Sequence, residues 1–343
     1  MSRDNLIIHL EGDALSRGIQ HGERCCDALR QFVNEGLCRL QPLSDRPISL
    51  DCLREKIAAY RAMVSHWLPD ISEEINGLSI GAGIPSDLAW LLQLRREILG
   101  YNRINTGGDC STLASHKGEP LLAQTVDLNG NLDDFIRVLH IITPQRRSLV
   151  LSFAGLLGYL GVNSAGLAIG LNMVLGGKWQ EGIPPYLAVR HLLDNCASVD
   201  EALETLATLP LSSSRSFTFC DGRRAVCVES LDNKLRVAEQ GTVTAHTNHF
   251  LHADFIPQDE INIFARNSSQ LRLDQTREFL QQPAIRPDMC FDLFSTPPVC
   301  VADSGDIRRE RTVAAVVLQP LQGTMLLRTG NPSLSDTLFF SLD

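Results

Sequence analysis

The feature that most constrains what this chain can fold into is an abrupt change of hydrophobic period at Cys110. Before it, apolar residues recur at three- and four-residue spacing, which predicts helices over Ala14–Leu40, Leu50–Trp67, Asp70–Gly77 and Ser86–Leu99. Pro69, the Gly81-Ala82-Gly83 stretch and Ser86 after Pro85 supply the stops and a start. After it, short apolar runs alternate with Gly, Pro and Asn, which predicts strands over 111–116, 120–126, 135–142, 148–154, 158–163 and 166–172. A helical interlude at Pro185–Asn195 and Val199–Leu209 precedes strands at Ser216–Cys220, Ala225–Ser230, Leu235–Glu239 and Thr242–His246. A helix over Ser268–Leu280 and strands over Thr312–Leu318 and Thr324–Arg328 close the pattern. The simplest packing of this order is two antiparallel sheets with helices outside, although mixed or two-domain arrangements also fit it.

Composition narrows the class. At 343 residues, with 44% hydrophobic and 21% charged side chains, the chain can bury a sizeable core, and disorder is excluded. A formal charge of −9 with no long basic run argues against a nucleic-acid partner. No apolar stretch reaches membrane-span length, and Leu6–Leu10 reads as a short strand instead of a signal peptide, so the cytoplasm is the expected location. The ten cysteines show no C-x-x-C spacing and read as buried free thiols.

Only Cys110 stands in an unusual setting. The polar approach Gly107-Gly108-Asp109 leads into Cys110-Ser111-Thr112, a short strand, a turn at 116–120, and Leu121 to Asp127. A chain that cuts itself between Asp109 and Cys110 would leave a thiol and a free α-amine on one residue, suited to amide hydrolysis or acyl transfer. On that reading, 105–109 is a processing site more than a domain joint. A thiol nucleophile needs a base, an orienting partner and donors for the oxyanion. Asp127, Asn172, Asn248 and Arg311 stand at strand ends after the proposed cut and could supply them. Each also has a structural reading, as a turn former, a cap, or, for Arg311 beside Glu310, half of a solvated pair.

Cys110-Ser111-Thr112, Gln124-Thr125-Val126-Asp127, Thr247-Asn248-His249-Phe250 and Arg311-Thr312-Val313 with Gly330-Asn331-Pro332 together resemble the acyl-coenzyme A:6-aminopenicillanic acid acyltransferase family. That family belongs to the N-terminal nucleophile hydrolases and is related to penicillin V acylases and bile salt hydrolases. Gly18-Ile19-Gln20-His21-Gly22, Leu68 to Gly77, and Arg96-Glu97 are similar too. The resemblance implies an α+β, four-layer αββα sandwich with a mostly helical N-terminal segment. It implies a 1–109 pro-segment and a 110–343 catalytic fragment that stay associated as one domain after autoproteolysis. Cys110 would be the nucleophile in maturation and in turnover, its freed amine the base, and Asp127 the residue that orients both. Asn248 would be an oxyanion donor with Asn172 a second, and Arg311 would hold the thiolate and Asp127 electrostatically, with Arg309 as fallback. The substrate would be a small N-acyl amide or acyl thioester; no cofactor is implied, and acyl-CoA can serve as acyl donor. Gln124 replaces the Arg of bile salt hydrolases and agrees with the acyltransferase branch, whereas Asp109 replaces a Gly.

Two rival readings start elsewhere. His246, His249 and His252 recur every three residues, which on a helix could present metal ligands. The strand character of Thr242–Ala245 and the lack of a nearby carboxylate pair weigh against a metal-dependent enzyme. A non-catalytic relative that binds a small acyl ligand is the other.

Overall fold

A computed structural model describes residues 3–100 and 110–343. Within them the strands are β1 (Ile7–Glu11), β2 (Thr112–Ser115), β3 (Leu121–Leu128), β4 (Ile136–Ile142), β5 (Arg147–Phe153), β6 (Leu160–Asn163), β7 (Ala168–Met173), β8 (Arg215–Cys220), β9 (Ala225–Leu231), β10 (Lys234–Gly241), β11 (Val243–His246), β12 (Arg311–Gln319), β13 (Thr324–Thr329) and β14 (Leu338–Ser341). They form an eight-stranded sheet, β1-β4-β5-β6-β7-β8-β9-β10, and a six-stranded sheet, β11-β2-β3-β12-β13-β14.

The two sheets pack face to face, with β2 and β3 against β7 and β8. The Pro185–Asn195 helix covers the far side of the larger sheet, and the Ile263–Phe279 and Pro287–Phe294 helices cover the far side of the smaller one. This is the expected four-layer αββα sandwich. Because the smaller sheet is covered on both sides, its central strands are apolar on both faces. Leu122 and Val126 of β3 join the inter-sheet core, while Leu121 and Ala123 join the core under the outer helices. Gln124 shares the inward parity of Leu122 and Val126, so its side chain points at the other sheet.

The pattern misses four things. The predicted Ala14–Leu40 helix is broken into Ala14–Arg24, Cys26–Asn34 and a short Gly36–Arg39 turn, where residues 36 to 39 all take positive φ. The Asp70–Gly77 helix runs longer, Pro69–Ala82, to an αL cap at Gly83 (φ 61°). β1 pairs parallel with β4, so the larger sheet is mixed. Finally, the Pro287–Phe294 helix and β14 escape the pattern because each is short and framed by turn residues.

Gly18 and Gly22 on the Ala14–Arg24 helix meet Gly77 and Gly81 on the Pro69–Ala82 helix backbone to backbone. A Cβ at Gly18 would lie 2.0 Å from the Glu74 carbonyl oxygen, and one at Gly81 would lie 2.1 Å from that of Ile19. Each helical glycine costs about 1 kcal/mol against alanine, and the close approach it allows brings Glu74 under Arg17 and Arg190. Arg190 grips Glu74 through two hydrogen bonds of 2.9 and 2.8 Å, Arg17 adds one of 3.1 Å, and Arg190 Nε reaches Asp194 at 2.8 Å. Burial is the largest single influence and raises the Glu74 carboxyl, but the charge and hydrogen bonds of Arg190 together with the Arg17 and His21 charges outweigh it and hold Glu74 below the usual carboxylate range. No helix of the described residues is long and apolar enough to cross a membrane.

Candidate active site

Cys110 precedes β2, and the β2–β3 hairpin brings the chain back beside it. Asp127 donates its backbone N–H to the Cys110 Sγ at 3.3 Å. Opposite Asp127, the pairing with β12 slips between Thr312 and Ala314, a bulge that ends the regular ladder where the site begins. The Cys110 main chain is fixed at both ends of its link to Ser111. Its carbonyl oxygen accepts from Asn172 Nδ2 at 3.1 Å and from Arg272 Nη1 at 2.9 Å, and Ser111 N–H donates to Thr125 Oγ1 at 3.0 Å. The Cys110 thiol is buried, and desolvation pushes it up to about 12, with the Asp127 charge adding to the rise. The thiol is therefore protonated at neutral pH and needs a base before it can attack.

Asn172 lies in β7 of the other sheet, and Gln124 holds it in place. The Gln124 side chain donates to the Leu171 carbonyl at 2.8 Å and accepts from the Leu171 N–H at 2.9 Å, a two-point clamp between the sheets one residue from Asn172. A Cβ at Gly170 would come within 2.7 Å of the Gln124 oxygen, so the clamp also needs glycine there.

Asn248 follows β11. Its Nδ2 donates to the Met173 carbonyl at 2.9 Å, its Oδ1 accepts from Arg272 Nη2 at 3.0 Å, and its N–H donates to Ser269 Oγ at 2.8 Å. Ser269 and Arg272 stand three apart on one face of the Ile263–Phe279 helix, which Asn262 caps by accepting from Ala265 N–H. One helix face thus holds the backbone of Asn248, its side chain and the carbonyl of Cys110. Arg272 is wholly buried.

The structure brings together Cys110, Asp127, Asn172 and Asn248, and it places Arg311 elsewhere. The Arg311 guanidinium reaches Asp303 at 2.7 Å and Asp133 at 2.8 and 3.0 Å. Arg309 enters through a backbone bond to Asp306 in the preceding turn. The guanidinium that bonds both Cys110 and Asn248 is that of Arg272, which the sequence pattern did not single out. Its signal was an arginine on the buried stripe of a helix, in line with Ala265, Ser269, Leu273 and Thr276. Tyr159 was also missed; its hydroxyl lies 3.9 Å from Sγ, and its ring stacks on Tyr186. Asp109, the other side of the expected cut, lies outside the described residues.

The three histidines at intervals of three go separate ways. His246 bonds Glu229 at 2.9 Å, His249 bonds Ser269 at 2.7 Å, and His252 accepts from the Asp254 N–H at 3.1 Å. Among the described residues no three His, Cys, Asp or Glu side chains are grouped as metal ligands.

A cleft opens beside Sγ, walled by Arg96, Asp127, Tyr159, Tyr186, Arg215 and Glu310. It shares Arg96, Tyr159 and Tyr186 with an apolar cleft faced by Leu92, Leu99, Leu132, Phe153 and Leu156. A buried thiol with a carboxylate residue beside it and amide and guanidinium donors around it, between two sheets, is chemically equipped for acyl transfer.

Residues 114–334 match the family model of acyl-coenzyme A:6-aminopenicillanic acid acyl-transferase, and the chain belongs to that family. The 40 kDa form of the acyl-coenzyme A:6-aminopenicillanic-acid-acyltransferase of Emericella nidulans is 27% identical over 197 residues, 56% of this chain and 54% of that protein. The match therefore spans about half the length of that relative. Among solved structures, penicillin V acylase from Agrobacterium tumefaciens is similar with a TM-score of 0.47 and 14% identity, over 68% of this chain and 86% of that one. The Caenorhabditis elegans ortholog of N-acylethanolamine-hydrolyzing acid amidase is similar with a TM-score of 0.45 and 15% identity, over 62% and 93%.

Proposed function

We propose that this protein is a cysteine N-terminal nucleophile amidohydrolase or acyltransferase that matures by cleavage between Asp109 and Cys110. The observation that carries the reading is the environment of Cys110. Its thiol accepts an N–H from Asp127, its own carbonyl is held by Asn172 and Arg272, and two adjoining clefts open beside it. Burial keeps the thiol protonated in the uncut chain. Cleavage would place a free α-amine on the same residue, where it can take the thiol proton, with Asp127 orienting the amine. Attack on an N-acyl amide or acyl thioester gives an acyl thioester on Cys110 and releases the amine or thiol. Asn248, held rigid by Arg272 and Ser269, donates to the oxyanion, with Asn172 as second donor. Water reaching the thioester gives hydrolysis and a second amine gives transfer, for which acyl-CoA is a fitting donor.

Intact-mass analysis of the freshly purified protein and of Cys110→Ala tests this. Two fragments meeting between Asp109 and Cys110 in the parent, and one whole chain in the variant, are expected, together with loss of amidase activity in the variant. A parent that stays whole, with a variant that keeps full amidase activity, would overturn the reading.

A further inference from the structure

Among the described residues, two arginines at the cleft beside Cys110 have few acceptors of their own. Arg215 begins β8 and is wholly buried. Its Nη1 donates to the Ser214 carbonyl at 2.6 Å, whereas Nε and Nη2 make no hydrogen bond among the described residues. The Glu97 carboxylate stands 3.6 Å from Nη2, beyond good hydrogen-bond length, and burial pushes the Glu97 carboxyl upward, so it offsets Arg215 only in part. The guanidinium otherwise lies over Trp179 and Tyr186, 5.0 and 5.7 Å from the ring centroids.

Arg96, from the Ser86–Leu99 helix, directs Nε and Nη2 at the sulfur of Met173, with Nε at 3.0 Å. A thioether is a weak acceptor for a charged donor. Both guanidinium groups line the cleft beside Cys110. Asp127 and Glu310 line it as well, so an incoming anion is directed to the arginines and away from those carboxylates.

We propose that Arg96 and Arg215 form an anion subsite that binds the carboxylate of an N-acyl α-amino acid while its acyl chain enters the adjoining apolar cleft. The inference rests on Cys110 being the acyl-accepting thiol. Two planar guanidinium groups offer charge-assisted hydrogen bonds to one carboxylate. An α-amino acid carries that carboxylate one carbon from the scissile nitrogen, close enough to leave the amide carbonyl at the thiol. Leu92, Leu99, Phe153 and Leu156 supply the apolar walls for the acyl chain, with Gln93 and Arg95 at the same cleft.

The test separates binding from turnover. Calorimetric titrations of Cys110→Ala protein would use N-phenylacetylglycine and its neutral analogue N-phenylacetylglycinamide. The carboxylate compound is expected to bind at least about tenfold more tightly. Adding Arg215→Met should bring that ratio to within about threefold, and Arg215→Lys should keep part of it, since the charge stays but the planar fork is lost. Arg96→Gln gives a second, independent loss of preference should Arg215→Met fail to fold. Equal binding of the two compounds, binding of neither, or a preference that survives both Arg215→Met and Arg96→Gln overturns the subsite. Selective binding by Cys110→Ala protein, with a parent that stays whole and a Cys110→Ala variant that keeps full amidase activity, leaves the subsite standing and removes the Cys110 reading.

Discussion

Arg190 and Arg215 are both wholly buried, and they are satisfied in opposite ways. Arg190 sits between two carboxylates, gripping Glu74 with two hydrogen bonds and Asp194 with a third. Arg215 keeps Glu97 at arm's length and rests on aromatic faces beside an open cleft. A buried charge is tolerable when partners replace its water. Where the protein needs only structure it supplies them in full, and where a cleft opens it holds them back. The contrast separates an arginine that belongs to the fold from one turned toward a ligand.

The largest test of that contrast is removal of the Arg190 partner. Glu74→Ala strands Arg17 and Arg190 without their shared carboxylate and should cost about 3–5 kcal/mol, read as a fall in the urea midpoint or as loss of folded protein. Acid probes the same region. His21 is buried with neither ring nitrogen bonded among the described residues, and desolvation pushes it down to about 4, against the pull of Glu74. Below pH 6.5 the unfolded chain takes up a proton that the folded imidazole refuses. Stability should therefore fall as pH drops from 6.5 toward 4, by on the order of 3 kcal/mol for this residue. Urea titrations across that range should show a shallower fall in His21→Leu.

Next comes the choice between Arg272, at the Cys110 carbonyl, and Arg311, at Asp133 and Asp303. Arg272→Lys, which loses the fork between Cys110 and Asn248, should lower kcat/KM about 100-fold. Arg311→Lys alters a partly exposed pair with Asp133 and Asp303 and should change stability by less than about 1 kcal/mol; a loss of activity equal to that of Arg272→Lys would return Arg311 to the site. At Arg215 the stability loss on Arg215→Met should stay below the about 3–5 kcal/mol of Glu74→Ala, because its carboxylate partner stands at 3.6 Å instead of at hydrogen-bond length; a loss as large as that of Glu74→Ala would show that Arg215 is structural after all.

Much of the site was legible because strand ends announce themselves. Asp127 and Asn248 each follow a predicted strand, and Cys110 follows a Gly-Gly-Asp approach, so their joint placement together with the family resemblance picked them out. Arg272 was hidden, since one arginine inside a helical pattern looks like a solvated residue unless its place on the buried stripe is noticed. For a different reason, Arg215 was hidden, and Arg96 stood out only as part of the family resemblance, with no place at the cleft. Their meaning lies in what they do not touch, and no spacing in a chain encodes a missing acceptor. The change of period at Cys110 suggested two sheets with helices outside and the family resemblance the four layers, but neither held the parallel β1–β4 pair, because it joins residues more than a hundred positions apart. The close glycine contact of the Ala14–Arg24 helix with the Pro69–Ala82 helix is invisible from within either segment.

The glycine contacts between those helices, the β1–β4 pairing and the Glu74–Arg190 grip have a further consequence for assembly. Two of these ties, β1–β4 and Glu74–Arg190, cross from residues before 101 to residues after 109, so continuity of the backbone between them is not what holds the sandwich closed. Produced as two polypeptides, the pieces should find each other and melt as a heterodimer whose midpoint rises with protein concentration, as mass action requires.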